Sequence, residues 1–371
     1  MRFLSADWIY PLNKSPIKEG VLQVSDGGEI INVFNNREEA PADKLEIFFG
    51  LLCPGFINTH CHLELSHLLG KTNQGKGFLD FLSSVKKRND FDMELIHNSI
   101  IEAENQMVKN GIVAVGDICN TSDTLFQKQK GNLLYYNFIE AFQVNEFLVK
   151  ETLNRSKVLR NKFRRAGMKA TIVPHSAYSV SPKLMRGIRN TFDNQDNLFT
   201  IHMQETDLEN HLFEKKEGDL KDWLKSINAS SEIWSNRNKS IDALNELGRR
   251  KNLLVHNTFS KKEDIIDNYY CTCPKANLYI ENSLPSYDIF DREKLCVGTD
   301  SLASNNSLSI MEEILVIHQN SDFNFNTLLK IASKNGAEAL GIDHLGTFEK
   351  GKKPGVNLLN IDFTQFKRRI I

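Results

Sequence analysis

Eight short apolar segments, each with the length and composition of a β-strand, alternate along the chain with longer segments of helical period. The first segment ends at His62, and the others are Ile112 to Ile118, Leu133 to Ala141, Lys169 to Pro174, Leu198 to His202, Leu253 to His256, Tyr270 to Cys273 and Cys296 to Gly298. Eight consecutive β-then-α units are typical of a (β/α)8 barrel of the TIM type. An open, doubly wound sheet is the structural alternative. The sequence therefore predicts an α/β fold, with the (β/α)8 barrel as the favoured architecture.

Shorter apolar runs, interrupted by turn residues, occupy residues 1 to about 52. The segment Asp26-Gly27-Gly28-Glu29 separates two of these runs and is typical of a β-hairpin turn. We therefore expect a small antiparallel β unit ahead of the barrel.

The composition of the 371-residue chain suits a large core, since 40% of the residues are hydrophobic and 25% are charged. With 46 basic and 47 acidic residues, the net charge is −1, which disfavours nucleic acid as a partner. No leader is evident and no apolar run approaches the length of a membrane span, so we expect a cytoplasmic protein without membrane contact. The six cysteines include no C-x-x-C pair, which indicates neither a zinc ribbon nor a disulfide framework.

A His-x-His pair ends the first strand-like segment, at His60 and His62. Strand side chains alternate between faces, so both histidines point the same way while Cys61 points the other. Two adjacent imidazoles at a strand end can bind one divalent metal ion. Taken alone, the pair is better explained as two ordinary polar residues at a strand terminus.

Further polar residues follow other predicted strands, at the point where each strand ends. These are His175, His202 with Glu205 three residues later, His256, and Asp300. A single histidine at a strand end is commonly just a satisfied polar residue. All of them lie at the carboxyl ends of successive strands, where barrel enzymes keep their catalytic groups, and an open sheet does not predict this.

Together these motifs resemble the amidohydrolase superfamily. Pro54-Gly55 followed by H-x-H, the H-x-x-E of His202 and Glu205, and the Gly-Thr-Asp-Ser run at 298–301 resemble its mononuclear deaminase and chlorohydrolase branch. No lysine ends the fourth strand, which speaks against the binuclear branches. The tract at 60–68 is similar to that of the aminodeoxyfutalosine deaminases, which act in menaquinone biosynthesis. The resemblance covers essentially the whole chain.

The resemblance implies both a domain division and a metal site. A β-sandwich is expected from residues 1–52 together with 341–371, and a catalytic barrel from residues 53–340. One divalent ion is implied, with zinc favoured and ferrous iron as the alternative. By the same resemblance, its ligands are His60, His62, His202 and Asp300.

Hydrolytic deamination is the reaction that the resemblance implies. A metal-activated water attacks a ring carbon of an aminated purine-type nucleoside or base, and ammonia leaves. Glu205 carries the proton of that water to a ring nitrogen of the substrate. His256 polarises the water or the tetrahedral intermediate, and Asp300 accepts a proton for the leaving amine. The implied enzyme is a hydrolase that acts on carbon–nitrogen bonds other than peptide bonds.

By the same resemblance, the candidates for substrate binding are Glu64, His175, Asn277 and Ser301. Glu64 shares the face of His62, and it either bonds a ribose or amino group of the substrate or orients His62. The expected partner is a small-molecule substrate, and a homodimer is left open.

Other interpretations of the same motifs also remain open. The chain could act on guanine, cytosine, an adenosyl compound or a triazine. A ring chloride could also take the place of the amine as the leaving group, because the same hydroxide attack serves both. A non-catalytic scaffold is the alternative from a different class, and Glu205 argues against it because a scaffold needs no acid–base group. Two long polar stretches, residues 209–222 and 228–240, form either part of a lid or a solvated helical insertion.

Overall fold

The structure is a computed structural model, and it describes residues 1–194, 196, 198–248 and 251–371. In chain order, the strands are β1 Arg2–Ile9, β2 Ile17–Lys18, β3 Val21–Val24, β4 Ile30–Phe34, β5 Leu45–Pro54, β6 Phe56–Cys61, β7 Ile112–Cys119, β8 Leu134–Ala141, β9 Lys169–Pro174, β10 Phe199–Met203, β11 Asn252–His256, β12 Tyr269–Thr272, β13 Leu295–Val297, β14 Val356–Leu359 and β15 Phe366–Arg369. The α-helices are α1 Phe78–Val85, α2 Met93–Lys109, α3 Leu125–Lys128, α4 Val149–Arg165, α5 Pro182–Arg189, α6 Asp207–Lys215, α7 Asp219–Ser226, α8 Glu232–Ser235, α9 Leu244–Leu247, α10 Pro274–Glu281, α11 Ile310–Gln319, α12 Phe325–Leu329 and α13 Asn335–Leu340.

Strands β6 to β13 form two parallel sheets of four strands each, in the orders β6-β7-β8-β9 and β10-β11-β12-β13. Every residue of β7, β10 and β11 is buried. Parallel strands are covered on both faces, which is why these segments read as continuous apolar runs in the sequence. The predicted α/β fold with parallel strands is confirmed, and each of the eight predicted strands is present.

Backbone hydrogen bonds connect the two parallel sheets at two edges. Beside β9 and β10, the amide of His202 donates to the carbonyl oxygen of His175 at 2.9 Å. Beyond β13, the amide of Asp300 donates to the carbonyl oxygen of His60, next to the end of β6, at 3.1 Å. These contacts bring the carboxyl ends of the outer strands of both sheets together.

The two ends of the chain meet in one mixed sheet, in the order β15-β14-β5-β1-β3-β4 with β2 beside β1. Strands β3 and β4 pair as the predicted antiparallel hairpin, and β14 pairs with β5 so that Val356 lies opposite Pro54. Leu22, Leu52 and Leu358 belong to the buried apolar cluster of this sheet. Residues from both termini therefore form a single β unit.

The two long polar stretches after β10 fold into α6, α7 and α8. Leu212, Leu220 and Leu224 are fully buried, so these helices pack against the body of the protein. Trp223 of α7 lines the cavity that is described below. Packing of this kind anchors the insertion, while a lid function for it stays a prediction.

No helix within the described residues combines the length and the apolar character needed to cross a membrane. All six cysteines are buried, and none of them forms a disulfide. The cytoplasmic location and the homodimer stay predictions.

Candidate active site

Four side chains converge where the two parallel sheets meet. His60 belongs to β6, His62 follows it, His202 lies in β10 and Asp300 follows β13. The Nε2 atom of His62 lies 3.2 Å from Nε2 of His60 and 3.3 Å from Nε2 of His202. The Oδ1 atom of Asp300 lies 3.4 Å from Nε2 of His62 and 3.6 Å from Nε2 of His60. Three ring nitrogens thus face one another, and one carboxylate oxygen lies beside two of them.

This spacing fits a metal centre. A tetrahedral ion with bonds of about 2.0–2.1 Å holds its ligand atoms about 3.3 Å apart. Three ring nitrogens that face one another cannot all be paired by hydrogen bonds among themselves. A cation placed between them accepts the lone pair of each nitrogen. His202 donates from Nδ1 to the carbonyl oxygen of His175 at 2.8 Å, which directs the Nε2 lone pair of His202 into the cluster.

The protonation states also suit metal binding. Burial lowers the pKa of His60 and of His202, which keeps these imidazoles neutral. Burial alone raises the pKa of Asp300, but the hydrogen bond to His60 and the neighbouring histidines outweigh it and hold that pKa well below its usual range. Neutral imidazole and ionised carboxylate are the forms that bind a metal.

Glu205 and His256 lie beside this cluster. Oε1 of Glu205 is 3.6 Å from Nε2 of His256. Burial raises the pKa of Glu205 to about 8, and the opposing influence of His202 does not restore it. Burial lowers the pKa of His256, against the raising influence of Asp300 and Asn277. A carboxyl group with a pKa near neutrality is suited to giving and taking protons.

The backbone is strained at several of these positions. Gln204, His256 and Asp300 have φ values of 48°, 71° and 54°, in the left-handed region that non-glycine residues seldom adopt. Such conformations cluster at functional sites, because the surrounding fold must hold them in place.

A cavity of about 310 Å³ opens over the cluster. Its polar floor includes His62, His202, Glu205, His256 and Asp300. Its apolar walls include Leu65, Phe78, Phe81, Leu82, Phe142 and Trp223. A flat, largely apolar ligand can therefore reach the convergent nitrogens and the Glu205 carboxyl group.

The four predicted substrate-binding residues occupy different surroundings. His175 and Ser301 line the cavity. Asn277 accepts a hydrogen bond at Oδ1 from Nδ1 of His256 at 2.8 Å. The Oε2 atom of Glu64 accepts from the backbone amides of Asn120 and Thr121, each at 3.0 Å. The carboxamide oxygen of Asn277 and the carboxylate oxygen of Glu64 thus already have protein partners. Direct substrate contact by these two residues stays a prediction.

Sequence reasoning missed Glu140, the penultimate residue of β8, which also lines the cavity. Its Oε2 accepts from Nδ2 of Asn120 at 3.0 Å. Burial raises its pKa, but His175, His202 and His62 outweigh burial and lower the pKa to about 2. The only signal in the sequence is an acidic residue near the end of an apolar strand.

A buried ion pair supports the loop that carries His62. Asp117 of β7 accepts from the backbone amide of Leu63 at 2.8 Å and pairs with Nζ of Lys128. Lys128 also donates to Oδ1 of Asn137 at 2.7 Å. Both charged side chains of the pair are fully buried, so the pair holds the chain next to His62 by direct bonds.

A model of the amidohydrolase family matches residues 51–370 of this chain. Among curated proteins, an adenosine deaminase of Helicobacter pylori is 25% identical over 337 residues, covering 84% of this chain and 79% of the relative. An aminodeoxyfutalosine deaminase of Nitratiruptor sp. is 25% identical over 331 residues, with the same coverage of 84% and 79%.

Solved structures share the fold across nearly the whole chain. The structure of Helicobacter pylori aminofutalosine deaminase in complex with methylthio-coformycin superposes with a TM-score of 0.86 at 21% identity, covering 100% of this chain and 98% of that one. An adenosine deaminase from Xanthomonas campestris with bound zinc gives a TM-score of 0.75 at 18% identity, covering 97% and 84%.

Proposed function

This chain belongs to the amidohydrolase family, and from that premise we propose that it is a metal-dependent hydrolytic deaminase of an aminated purine-type nucleoside or base. The observation that carries the proposal is the convergence of His60, His62 and His202, with Asp300 beside two of them and Glu205 lining the same cavity as His62, His202 and Asp300. The relatives named as adenosine and aminodeoxyfutalosine deaminases support it. The predicted class, a hydrolase of non-peptide carbon–nitrogen bonds, is confirmed by the family and these relatives.

The architecture that we propose completes the fold described above. The two parallel sheets close into a (β/α)8 barrel over residues 53–340, and the terminal sheet of residues 1–52 and 341–371 forms a β-sandwich. The backbone bonds at both pairs of sheet edges support closure of the barrel. The carboxyl ends of the strands then surround the cavity, as in other barrel enzymes.

One divalent ion is the proposed cofactor, with His60, His62, His202 and Asp300 as its ligands. Imidazole nitrogens together with one carboxylate favour zinc, and ferrous iron is the alternative. When bound, such an ion activates a water molecule by lowering its pKa toward neutrality.

The protein's own groups move the protons of the reaction. Glu205 accepts the proton of the attacking water and donates it to a ring nitrogen next to the attacked carbon. His256 faces the same point and stabilises the tetrahedral intermediate, while Asp300 accepts a proton destined for the leaving amine. Water adds and ammonia leaves, so the amino group is replaced by oxygen.

Aminodeoxyfutalosine is the narrower substrate that we propose. The tract at 60–68 and the relative from Nitratiruptor both support it. The test combines metal analysis of the purified protein with ammonia release from aminodeoxyfutalosine, adenosine, guanine and cytosine. One equivalent of metal and ammonia from a purine nucleoside are expected. A fully loaded protein that releases no ammonia from any of these compounds would refute the proposal.

A further inference from the structure

Glu140 presents a carboxylate oxygen that no group of the described residues satisfies. Its side chain is only 5% exposed and lines the cavity. One oxygen, Oε2, accepts from Asn120. The other, Oε1, is buried and has no hydrogen-bond partner among the described residues.

The neighbouring histidines cannot supply the missing donor. Nδ1 of His202 lies 3.7 Å from Oε1 of Glu140, but its proton is committed to the carbonyl oxygen of His175 at 2.8 Å. Nδ1 of His175 is bonded to the hydroxyl groups of Ser179 at 2.6 Å and Ser176 at 3.1 Å. A buried carboxylate oxygen without a donor is unfavourable, so a ligand that brings one is favoured there.

A second metal ion is the other conceivable occupant. Ligand atoms of Glu140, His175 and His202 lie within 4.8 Å of one another. Binding there through Nδ1 of His202 would break its bond to the His175 carbonyl, and binding through Nε2 would withdraw that atom from the convergent cluster. The geometry therefore favours a hydrogen-bond donor over a second cation.

We propose that Glu140 is a specificity residue that accepts a hydrogen bond from a sugar hydroxyl of the substrate. This inference rests on the proposed function, because it assumes that the substrate occupies this cavity. Phe142 also lines the cavity and packs edge-on against His175 with ring centroids 6.2 Å apart. A carboxylate beside an aromatic ring suits a flat ligand that carries a donor, and it disfavours an anionic group at that position.

Binding of product-type nucleosides tests the proposal without turnover. Calorimetry on the metal-loaded protein would compare inosine with 2′-deoxyinosine and with 3′-deoxyinosine, each of which lacks one sugar hydroxyl. We expect the parent to bind inosine at least tenfold more tightly than the analogue that lacks the donor read by Glu140. In Glu140→Ala this preference should fall below twofold.

Two further variants complete the design. Glu140→Gln keeps the shape of the side chain and should retain part of the preference, and it serves alone if Glu140→Ala does not fold. Glu102→Gln is the matched control, because Glu102 is exposed on α2 away from Glu140 and from this cavity, and it should keep the parental preference.

Three results would overturn the proposal: a preference that survives Glu140→Ala for both deoxynucleosides, a parent that binds none of the nucleosides, or a second metal equivalent that disappears in Glu140→Gln. Ammonia release is assayed separately. A collapsed preference in Glu140→Ala without any deaminase activity in the parent would refute the proposed function and leave the role of Glu140 standing. Full deaminase activity in the parent, together with an unchanged preference in Glu140→Ala, would refute the role of Glu140 and leave the proposed function standing.

Discussion

Replacing Glu205 with Gln should separate catalysis from folding. The amide keeps the shape of the side chain but cannot carry a proton between the attacking water and the substrate. General acid–base catalysis contributes at least about 10²-fold, or roughly 2.7 kcal/mol of transition-state stabilisation. We therefore expect kcat of the metal-loaded variant to fall by at least about 10²-fold, while metal content is retained because Glu205 is not a proposed ligand.

The same substitution should stabilise the metal-free protein at neutral pH. Burial raises the pKa of Glu205 from 4.5 to about 8, so its ionisation is easier in the unfolded chain than in the folded one. The resulting cost is absent below pH 4.5, grows as pH rises and levels off above pH 8. At about 1.4 kcal/mol per pKa unit, the cost at pH 7 is on the order of 3 kcal/mol. An uncharged Gln does not incur it.

Urea unfolding of the metal-free parent and variant at pH 5 and pH 7 measures this effect. The advantage of Glu205→Gln should grow between the two pH values by about 2–3 kcal/mol. His202→Ala provides the contrast, because it removes a proposed ligand and should lose metal and activity together. Near-parental turnover of Glu205→Gln on an authentic substrate would remove Glu205 from the mechanism. An advantage that does not change with pH would refute the buried, neutral carboxyl group.

Three further substitutions test the surroundings of the site. Asn277→Leu should lower kcat at least tenfold and leave KM within about threefold in steady-state kinetics, because Asn277 bonds His256 rather than lining the cavity. Gly298→Ala should lose metal by elemental analysis and destabilise the fold by about 1–3 kcal/mol, since a Cβ there would lie 2.7 Å from the carbonyl oxygen of the first ligand histidine. Lys128→Met should lower the free energy of unfolding in urea by about 3–5 kcal/mol, because it leaves the carboxylate of Asp117 buried without its cation.

Each of these variants has a matched control. Asn277→Asp keeps the oxygen acceptor and should restore most of kcat, whereas a KM effect shared by both Asn277 variants would indicate direct substrate binding. Gly27→Ala should be tolerated, since its Cβ would meet only side-chain atoms at 3.8 Å or more. Arg292→Met breaks an exposed ion pair with Asp322 and should cost less than about 1 kcal/mol. Equal losses for Lys128→Met and Arg292→Met would contradict the buried-pair argument.

Strand positions and ligand positions could be predicted because both leave local signals. Parallel strands buried on two faces produce continuous apolar runs, and the run predicted at Lys169 to Pro174 is β9 with the same bounds. The polar residues that follow such runs mark the carboxyl ends of the strands, which is how His202 and Asp300 could be identified. The predicted terminal hairpin likewise depends on a local turn sequence.

Contacts between distant residues leave no comparable signal. Lys128 lies in a polar stretch that resembles a solvated helix, and only the fold shows that its charge is buried against Asp117. Asn277 is 21 residues from His256 in sequence, and their hydrogen bond depends on how two neighbouring strands are placed. Glu140 has no motif, and its unsatisfied oxygen is recognisable only once the partners of His175 are known.

Unsatisfied polar atoms mark the part of the fold that a ligand completes. Oε1 of Glu140 and Nε2 of His256 are both buried without a hydrogen-bond partner among the described residues, and both side chains line the same cavity. His256 also holds a φ of 71°, so strain and unpaired polarity coincide there. A fold optimised for stability alone would pair or remove such groups. The position of these two atoms in the cavity beside the convergent histidines suits a site for a polar substrate, because the substrate then supplies the bonds that the protein lacks.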